Sequence, residues 1–166
     1  MKLAIDVFYK EQTAKIVAAV FNNWEDEQPH QIIVKYKSDI LDYVPGEFFK
    51  RELPCLTEII SDFDISKIEL IIIDGYVYLD DNKKLGLGAH LYQYLDGKLP
   101  IIGVAKTKFH NNTVNVKEVF RGTSKVPLFI TAIGVDINDA AENIKNMYGE
   151  NRMPKILKAI DTETKK

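Results

Sequence analysis

The feature that most constrains the fold is an aliphatic run from Ile68 to Ile73 that ends in Asp74 and Gly75. β-Branched residues that are apolar almost throughout, rather than alternating with polar ones, are typical of a strand buried on both faces. The run therefore predicts an interior strand of a sheet. Its last residue sets a carboxylate at the rim of that sheet.

Two further acids occupy comparable positions. Asp6 ends the apolar run Leu3-Ala4-Ile5, and Glu52 stands shortly before Pro54. Carboxylates held near one point repel each other by about 4 kcal/mol per pair, at roughly 4 Å and an effective dielectric of roughly 20. A bound cation would relieve this repulsion, so the cluster predicts a cation-binding site. Mg²⁺ suits it, with Mn²⁺ as a substitute, because a hard ion binds a few carboxylates and fills its other positions with water and phosphate oxygens.

The order of the predicted elements indicates an α/β protein. Three strands at 3–9, 13–21 and 31–37 form a β-meander, and Pro54 is expected at the first position of a helix that reaches about Asp62. The remaining elements are predicted as strands at 67–73, 100–105, 113–120 and 126–132 and helices at 85–96, 138–148 and from 154 onward. A meander followed by alternating strands and helices predicts a mixed sheet flanked by helices.

Composition agrees with one globular domain over residues 1–166. The chain has 22 basic and 24 acidic residues, a net charge of −2, which gives no global signature of nucleic-acid binding. No apolar run reaches the roughly 20 residues needed to cross a membrane. The start of the chain does not read as a signal peptide and Cys55 is the only cysteine, so a cytoplasmic monomer is expected.

Several segments spread along the chain resemble the endonuclease V family, in the family's own order. They read IDVFY, YVPGEFFKRELP, IIIDG, LGLGAHLYQYLDGKLPIIGVAKT and RMPKILKAID. They are similar to its strand aspartate, its Tyr-Ile-Pro wedge with Arg-Glu-x-Pro, its Val-Asp-Gly strand, its Leu-Gly-x-x-x-His-Leu helix with Pro-x-Ile-Gly-Val-Ala-Lys, and its terminal Pro-x-x-x-x-Ala-Asp. The resemblance implies a ribonuclease H-like fold and a metal-dependent endonuclease that cuts DNA or RNA near inosine.

The resemblance also assigns roles to individual residues. Asp6 and Asp74 are expected to bind the metal directly, and Glu52 to bind a second metal or to orient water. Asp161 enters the site only through the resemblance, and alone it would be an ordinary surface acid. Lys106, at the end of a strand, is expected to hold the scissile phosphate or to stabilise the leaving oxygen, provided that its strand lies parallel to the one before Asp74.

Nucleic-acid contact is assigned to a second group of residues within the same motifs. They are Tyr43, Val44, Pro45, Gly46, Arg51 and Gly75. The first four resemble the family wedge, which enters the duplex at the lesion, and they equally fit a β-turn with proline at its second position. His90 is interpreted as a packed, hydrogen-bonded histidine.

One segment departs from the family pattern. In DGYVYLDDNKKLG, Val77 stands where the family has a second glycine, and the family's His-Pro-Arg is missing. Tyr76 and Val77 are therefore expected to crowd the inosine pocket and to weaken base discrimination. Two alternatives remain open: an inactive module that binds altered or distorted nucleic acid, and a small-ligand α/β protein that uses the strand ends.

Overall fold

The computed structural model describes residues 1–166 as a seven-stranded mixed sheet with helices on both faces. The strands are β1 (Lys2–Lys10), β2 (Thr13–Phe21), β3 (Gln31–Lys37), β4 (Leu70–Asp74), β5 (Ile101–Ala105), β6 (Lys117–Val119) and β7 (Leu128–Ile133). The helices are α1 (Phe48–Ile60), α2 (Leu87–Tyr94), α3 (Ile137–Asn146) and α4 (Lys155–Thr164). The sheet order β3-β2-β1-β4-β5-β7-β6 confirms the predicted fold class.

The meander formed by β1, β2 and β3 is antiparallel throughout, and the predicted bounds of β2 and β3 are those of the structure. Next to it, β1, β4 and β5 run parallel to one another. These three strands are apolar on both sides and are covered on both sides, as parallel strands generally are. β7 and β6 close the sheet in the antiparallel sense.

Each face of the sheet has its own core. On one face, residues of α1 and α2, such as Leu56 and Leu91, pack with Leu3 and Ile71. On the other face, residues of α3 and α4, such as Ile144 and Ile160, pack with the strands. α4 therefore lies on the opposite side of the sheet from α1, so acids from the two helices approach the rim from different sides.

The predicted start of the first helix is wrong, because Pro54 lies inside α1 rather than at its first position. The apolar face begins earlier, at Phe49, and continues through Leu53 and Leu56 at helical spacing. Burial of this longer face outweighs the one hydrogen bond that a proline removes, and Pro54 itself is on the exposed side. Glu52 is consequently the fifth residue of the helix, beyond the first turn where the macrodipole acts.

The other differences are at element ends. Ile65–Lys67 is a 3₁₀ turn, so β4 starts three residues later than predicted, and the segment predicted as a strand at 113–120 is a strand only over Lys117–Val119. Arg121 is a buried basic residue, 4% exposed. Its guanidinium donates to the carbonyls of Lys145, Met147 and Gly149, so it holds the chain after α3. No helix in the structure is long and apolar enough to span a bilayer.

Candidate active site

Asp6 and Asp74 lie next to each other in register on neighbouring parallel strands. The β1–β4 pairing ends at Ile5 and Ile73, and each aspartate is the next residue of its strand. β5 is parallel to β4, with Asp74 paired to Val104, so Lys106 follows at the same rim. The strand before Lys106 is thus parallel to the strand before Asp74, as the predicted role of Lys106 requires. These polar residues lie together because each of them directly follows the apolar part of its strand. The apolar parts are covered by helices, and the polar residues come where that cover ends.

The residues of this rim line one small cleft. It is bordered by Asp6, Asp74, Lys106 and Asp161, with apolar walls from the strands and from Leu157 and Ile160 of α4. Its volume is about 30 Å³, which is room for an ion or a small number of water molecules, not for an organic ligand. At this cleft an ion is favoured over a small organic ligand.

Asp161 differs from the two strand aspartates because it is surrounded by cations. Its oxygens lie 2.8 Å from Lys165 Nζ, 3.3 Å from Lys158 Nζ and 3.7 Å from Lys106 Nζ. Desolvation is the largest influence on its pKa and acts upward, but the hydrogen bond from Lys165 and the charges of the other lysines together lower the pKa. Asp161 is therefore an ionised acid that holds ammonium groups at the edge of the cleft.

Asp6 and Asp74 have no basic side chain within ion-pair distance. The Thr164 hydroxyl lies 3.2 Å from Asp6 Oδ2 and is the only side-chain hydrogen bond to either carboxylate. Desolvation, followed by the charge of Asp74, raises the pKa of Asp6 to about 6. The Asp74 carboxylate opens to solvent, yet desolvation by the surrounding protein still raises its pKa.

This pair fits a hard divalent cation. Two partly desolvated carboxylates without a cationic partner are destabilised as anions, and a bound cation would remove that cost. The structure does not bring three His, Cys, Asp or Glu side chains close enough to form a complete ligand group. Of the three predicted metal ligands, the structure therefore brings together Asp6 and Asp74 but not Glu52.

Glu52 approaches from α1, on the other side of the sheet, and is 6% exposed. Its Oε2 accepts a 2.5 Å hydrogen bond from the Tyr9 hydroxyl. Desolvation raises the pKa of Glu52 to about 8, with the charges of Asp6 and Asp74 adding to it, while the hydrogen bond from Tyr9 acts downward. Glu52 thus interacts electrostatically with the aspartate pair without sharing a ligand group with it.

Arg51 and Tyr9 complete the surroundings of Glu52. The Arg51 guanidinium lies 3.7 Å from the centroid of the Tyr9 ring, a cation–π contact, and its buried Nε has no hydrogen-bond partner. His90, on α2, stacks on Phe49 with ring centroids 3.7 Å apart. Its side chain is packed, as expected, but through stacking rather than a hydrogen bond.

The segment from Tyr43 to Gly46 forms an exposed turn that leads directly into α1. Glu47 N–H donates to Val44 C=O, with Pro45 second and Gly46 third at φ +81°, which is the geometry of a type II turn. The Tyr43 side chain is 52% exposed and meets Phe48 edge to face. The turn therefore presents an aromatic ring and Val44 to solvent on a stiff backbone.

Tyr76 and Val77 have defined positions in the fold, and their expected effect on base discrimination stays a prediction. Val77 is completely buried, its N–H donates to Thr131 Oγ1, and its side chain packs against Gly88 of α2. Tyr76 is also buried, and its hydroxyl donates to the Thr107 carbonyl. Both side chains are therefore used in packing. Gly75 has φ +125°, so it turns the chain away from the end of β4.

Sequence reasoning missed three residues of this region: Tyr9, Thr164 and Lys165. Lys165 could have been found, because it lies four residues after Asp161 on the same helix, at the spacing of an ion pair. Thr164 and Tyr9 had no comparable signal. Their contacts join residues 158 and 43 positions apart along the chain.

The chain is similar in sequence to known proteins. The family model of endonuclease V matches residues 3–148. Endonuclease V of Sulfolobus acidocaldarius is 30% identical over 170 aligned residues, which cover 97% of this chain and 79% of that protein.

Solved structures show the same fold. Ciona intestinalis endonuclease V, in complex with a 24mer DNA containing an inosine followed by a ribo-adenosine, has a TM-score of 0.81 at 16% identity, covering 99% of this chain and 84% of that one. Human ENDOV has a TM-score of 0.74 at 19% identity, covering 99% and 82%. The family match over most of the sequence shows that this chain belongs to the endonuclease V family.

Proposed function

We propose that the protein is an Mg²⁺-dependent endonuclease that cleaves DNA or RNA near deaminated bases such as inosine. The observation that carries the proposal is the pair Asp6 and Asp74 at the ends of two parallel strands, with Lys106 beside them on the third. Membership in a family of metal-dependent nucleases supports the chemistry. The inosine-containing DNA bound by the Ciona protein supports the choice of substrate.

Asp6 and Asp74 are the residues that would hold the ion. Mg²⁺ is commonly held by one or two carboxylates, with water and substrate phosphate at its other positions, so two aspartates are sufficient. When bound, the ion supplies charge neutralisation at the phosphate and lowers the pKa of water. Mn²⁺ accepts the same oxygen ligands.

The other residues act on the phosphate and on water. Lys106, positioned by Asp161, brings an ammonium group to the cleft, where it balances negative charge on the scissile phosphate or on the leaving oxygen. Glu52 is held by Tyr9 and would orient the attacking water. A carboxyl whose pKa is raised toward neutrality can also accept a proton from that water.

The exposed turn at Tyr43 is proposed to contact the duplex beside the altered base. Insertion of Tyr43 would replace base stacking that is lost when the strands separate, worth about 1–3 kcal/mol per base. Arg51 and Gly75 are proposed to contact the backbone near the cleft.

An inactive nucleic-acid-binding module is not favoured. That alternative gives Asp6 and Asp74 no role, and unneutralised carboxylates at the rim would repel phosphate. A nuclease uses both aspartates and the neighbouring lysine.

The decisive experiment is cleavage of matched DNA and RNA oligonucleotides, with and without one inosine, in Mg²⁺, Mn²⁺ or excess chelator. We expect metal-dependent cleavage near inosine, and loss of cleavage by orders of magnitude in Asp74→Asn, which keeps the side-chain size but removes the charge. Asp96→Asn is the matched control, because Asp96 is an exposed aspartate at the opposite end of the sheet, beyond α2. Wild-type activity in chelator, or in Asp74→Asn, would disprove the site.

Binding of Mn²⁺ by calorimetry gives a readout that does not depend on turnover. Asp6→Asn and Asp74→Asn should each abolish or strongly weaken it, whereas Asp96→Asn should not. Equal Mn²⁺ affinity in all three variants would show that the ion binds elsewhere.

A further inference from the structure

A second groove opens beside the cleft, on the same face of the sheet, and has no role in the chemistry described above. It is lined by Phe8, Tyr9, Lys10, Glu11, Thr13, Lys15, Tyr36, Thr164, Lys165 and Lys166, and its volume is about 600 Å³. Thr164 and Lys165 belong to both regions, since they contact Asp6 and Asp161 respectively. The groove is therefore continuous with the proposed metal site.

The floor of the groove is a row of side chains across three strands. Phe8 of β1 pairs with Lys15 of β2, and Lys15 pairs with Tyr36 of β3. Phe8 follows Asp6 by two residues on β1, so its side chain points to the same face of the sheet. The row therefore begins about 7 Å along the strand from Asp6. Tyr36 is 68% exposed and Phe8 is 39% exposed, so this row presents two aromatic rings to solvent.

The charge of the groove is positive. Four lysines and one glutamate line it, and Lys10 at its outer end has no ion-pair partner. Glu163 beside the groove pairs with Lys15 at 3.4 Å and with Lys166 at 3.0 Å, and Lys165 pairs with Asp161 at 2.8 Å, so Lys10 is the one lysine of the groove without an acidic partner. Lys15 Nζ also lies 6.0 Å from the centroid of the Tyr36 ring, which keeps a cation beside the exposed aromatic face.

We infer that this groove binds a single-stranded segment of nucleic acid that continues from the cleaved phosphate. Exposed aromatic rings on a sheet, interleaved with lysines, are the elements of a surface that stacks bases and holds phosphates without sequence preference. The nature of the ligand rests on the proposed function, while its location rests on the groove itself. Lys10 would contact the backbone, and Phe8 and Tyr36 would stack on bases.

The test measures binding without cleavage, so it is independent of the nuclease assay. Fluorescence anisotropy with a labelled single-stranded dT20, in chelator and at low salt, gives the affinity. We expect Tyr36→Ala to weaken binding about tenfold, since one stacking contact is lost. Lys10→Gln should make the plot of log affinity against log salt shallower by about 0.7, the value for one phosphate contact on a single strand.

Matched controls come from the opposite end of the sheet. Tyr94, 61% exposed at the end of α2, gives Tyr94→Ala, and the exposed Lys98 gives Lys98→Gln. Both should bind dT20 like the wild type. Tyr36→Phe keeps the ring and should also keep the affinity, which separates loss of stacking from loss of folding.

Several results would overturn the inference. They are no binding of dT20 by the wild type, unchanged affinity in Tyr36→Ala and Lys10→Gln, an equal loss in the Tyr94 and Lys98 controls, or tighter binding of the dA20·dT20 duplex than of dT20. If cleavage fails but Tyr36-dependent binding is found, the groove stands and the nuclease proposal fails. If cleavage is found without Tyr36-dependent binding, the nuclease proposal stands and the groove proposal fails.

Discussion

Glu52 depends on a single hydroxyl for its hydrogen bonding. The Tyr9 O–H donates to Glu52 Oε2, and this hydrogen bond does more than the charge of Arg51 to favour the ionised form of a carboxyl that is otherwise desolvated and close to two aspartates. Tyr9→Phe removes the donor and leaves the ring under Arg51. We therefore expect the pKa of Glu52 to rise further and the acid limb of the pH–rate profile to move to higher pH.

The same variant should also lose stability, by about 1–3 kcal/mol, because a buried acceptor is left without its donor. Urea unfolding measures this loss, and a pH–rate profile measures the kinetic effect. Tyr94→Phe is the control, since its exposed hydroxyl has no hydrogen-bond partner in the protein. A Tyr9→Phe profile that overlays the wild type would show that Tyr9 does not position Glu52.

At the scale of elements, the missing side chain at Gly103 of β5 leaves room for the chain that follows Asp74. A Cβ at Gly103 would lie 2.5 Å from the Gly75 carbonyl and 2.5 Å from Thr131 Oγ1. Gly103→Ala should therefore displace the Asp74–Gly75 segment, lower stability by about 1–3 kcal/mol and weaken Mn²⁺ binding. Calorimetry and thermal unfolding measure the two effects.

A Thr131→Ala background sharpens this test. That change removes the side-chain clash but leaves the backbone clash with Gly75, so Gly103→Ala should remain destabilising in it. Full recovery of metal binding in the double variant would show that Thr131 alone makes the glycine necessary.

The turn before α1 is a second element with a testable role. Tyr43 is exposed and is supported only by an edge contact with Phe48, so its removal should leave the fold intact. We expect Tyr43→Ala to weaken binding to inosine-containing and mismatched duplexes alike, by about tenfold, because stacking is lost in both. Anisotropy in Ca²⁺ measures the affinities, with Tyr94→Ala as control. A loss confined to inosine would indicate that Tyr43 reads the base.

At the scale of the whole molecule, the acids couple stability to pH and metal. The pKa of Asp6 is raised to about 6 and that of Glu52 to about 8, so the folded protein binds these protons more tightly than the unfolded chain does. This stabilisation is complete below about pH 4 and is lost as pH rises through those two values. For Asp6 it amounts to at most about 3 kcal/mol.

We therefore expect the Tm in chelator to fall by roughly 5–10 °C between pH 5 and pH 8.5 through these groups. Added Mn²⁺ should raise the Tm more at pH 8.5 than at pH 5, because metal and protons compete for the same carboxylates. Asp6→Asn should reduce both effects, and Asp96→Asn should reduce neither. A metal-induced shift that is equal at the two pH values would contradict this coupling.

The sequence predicted most of the sheet and the two strand aspartates. Strand periodicity and apolar runs are local, so β2 and β3 were predicted to the residue, and Asp6 and Asp74 were recognised where the apolar runs stop. The start of α1 was not predicted, because Pro54 is a strong local signal for a helix start and the burial of Phe49 is a tertiary effect.

The sequence by itself determined which strands are interior, which acids end them and which family the motifs indicate. Only the tertiary structure decided what surrounds those acids. It left Asp6 and Asp74 without cations, gave Asp161 three lysines, and joined Tyr9 to Glu52. The physical reason is range: a strand end is specified by neighbours along the chain, whereas charge balance and desolvation are set by side chains that folding brings from distant positions.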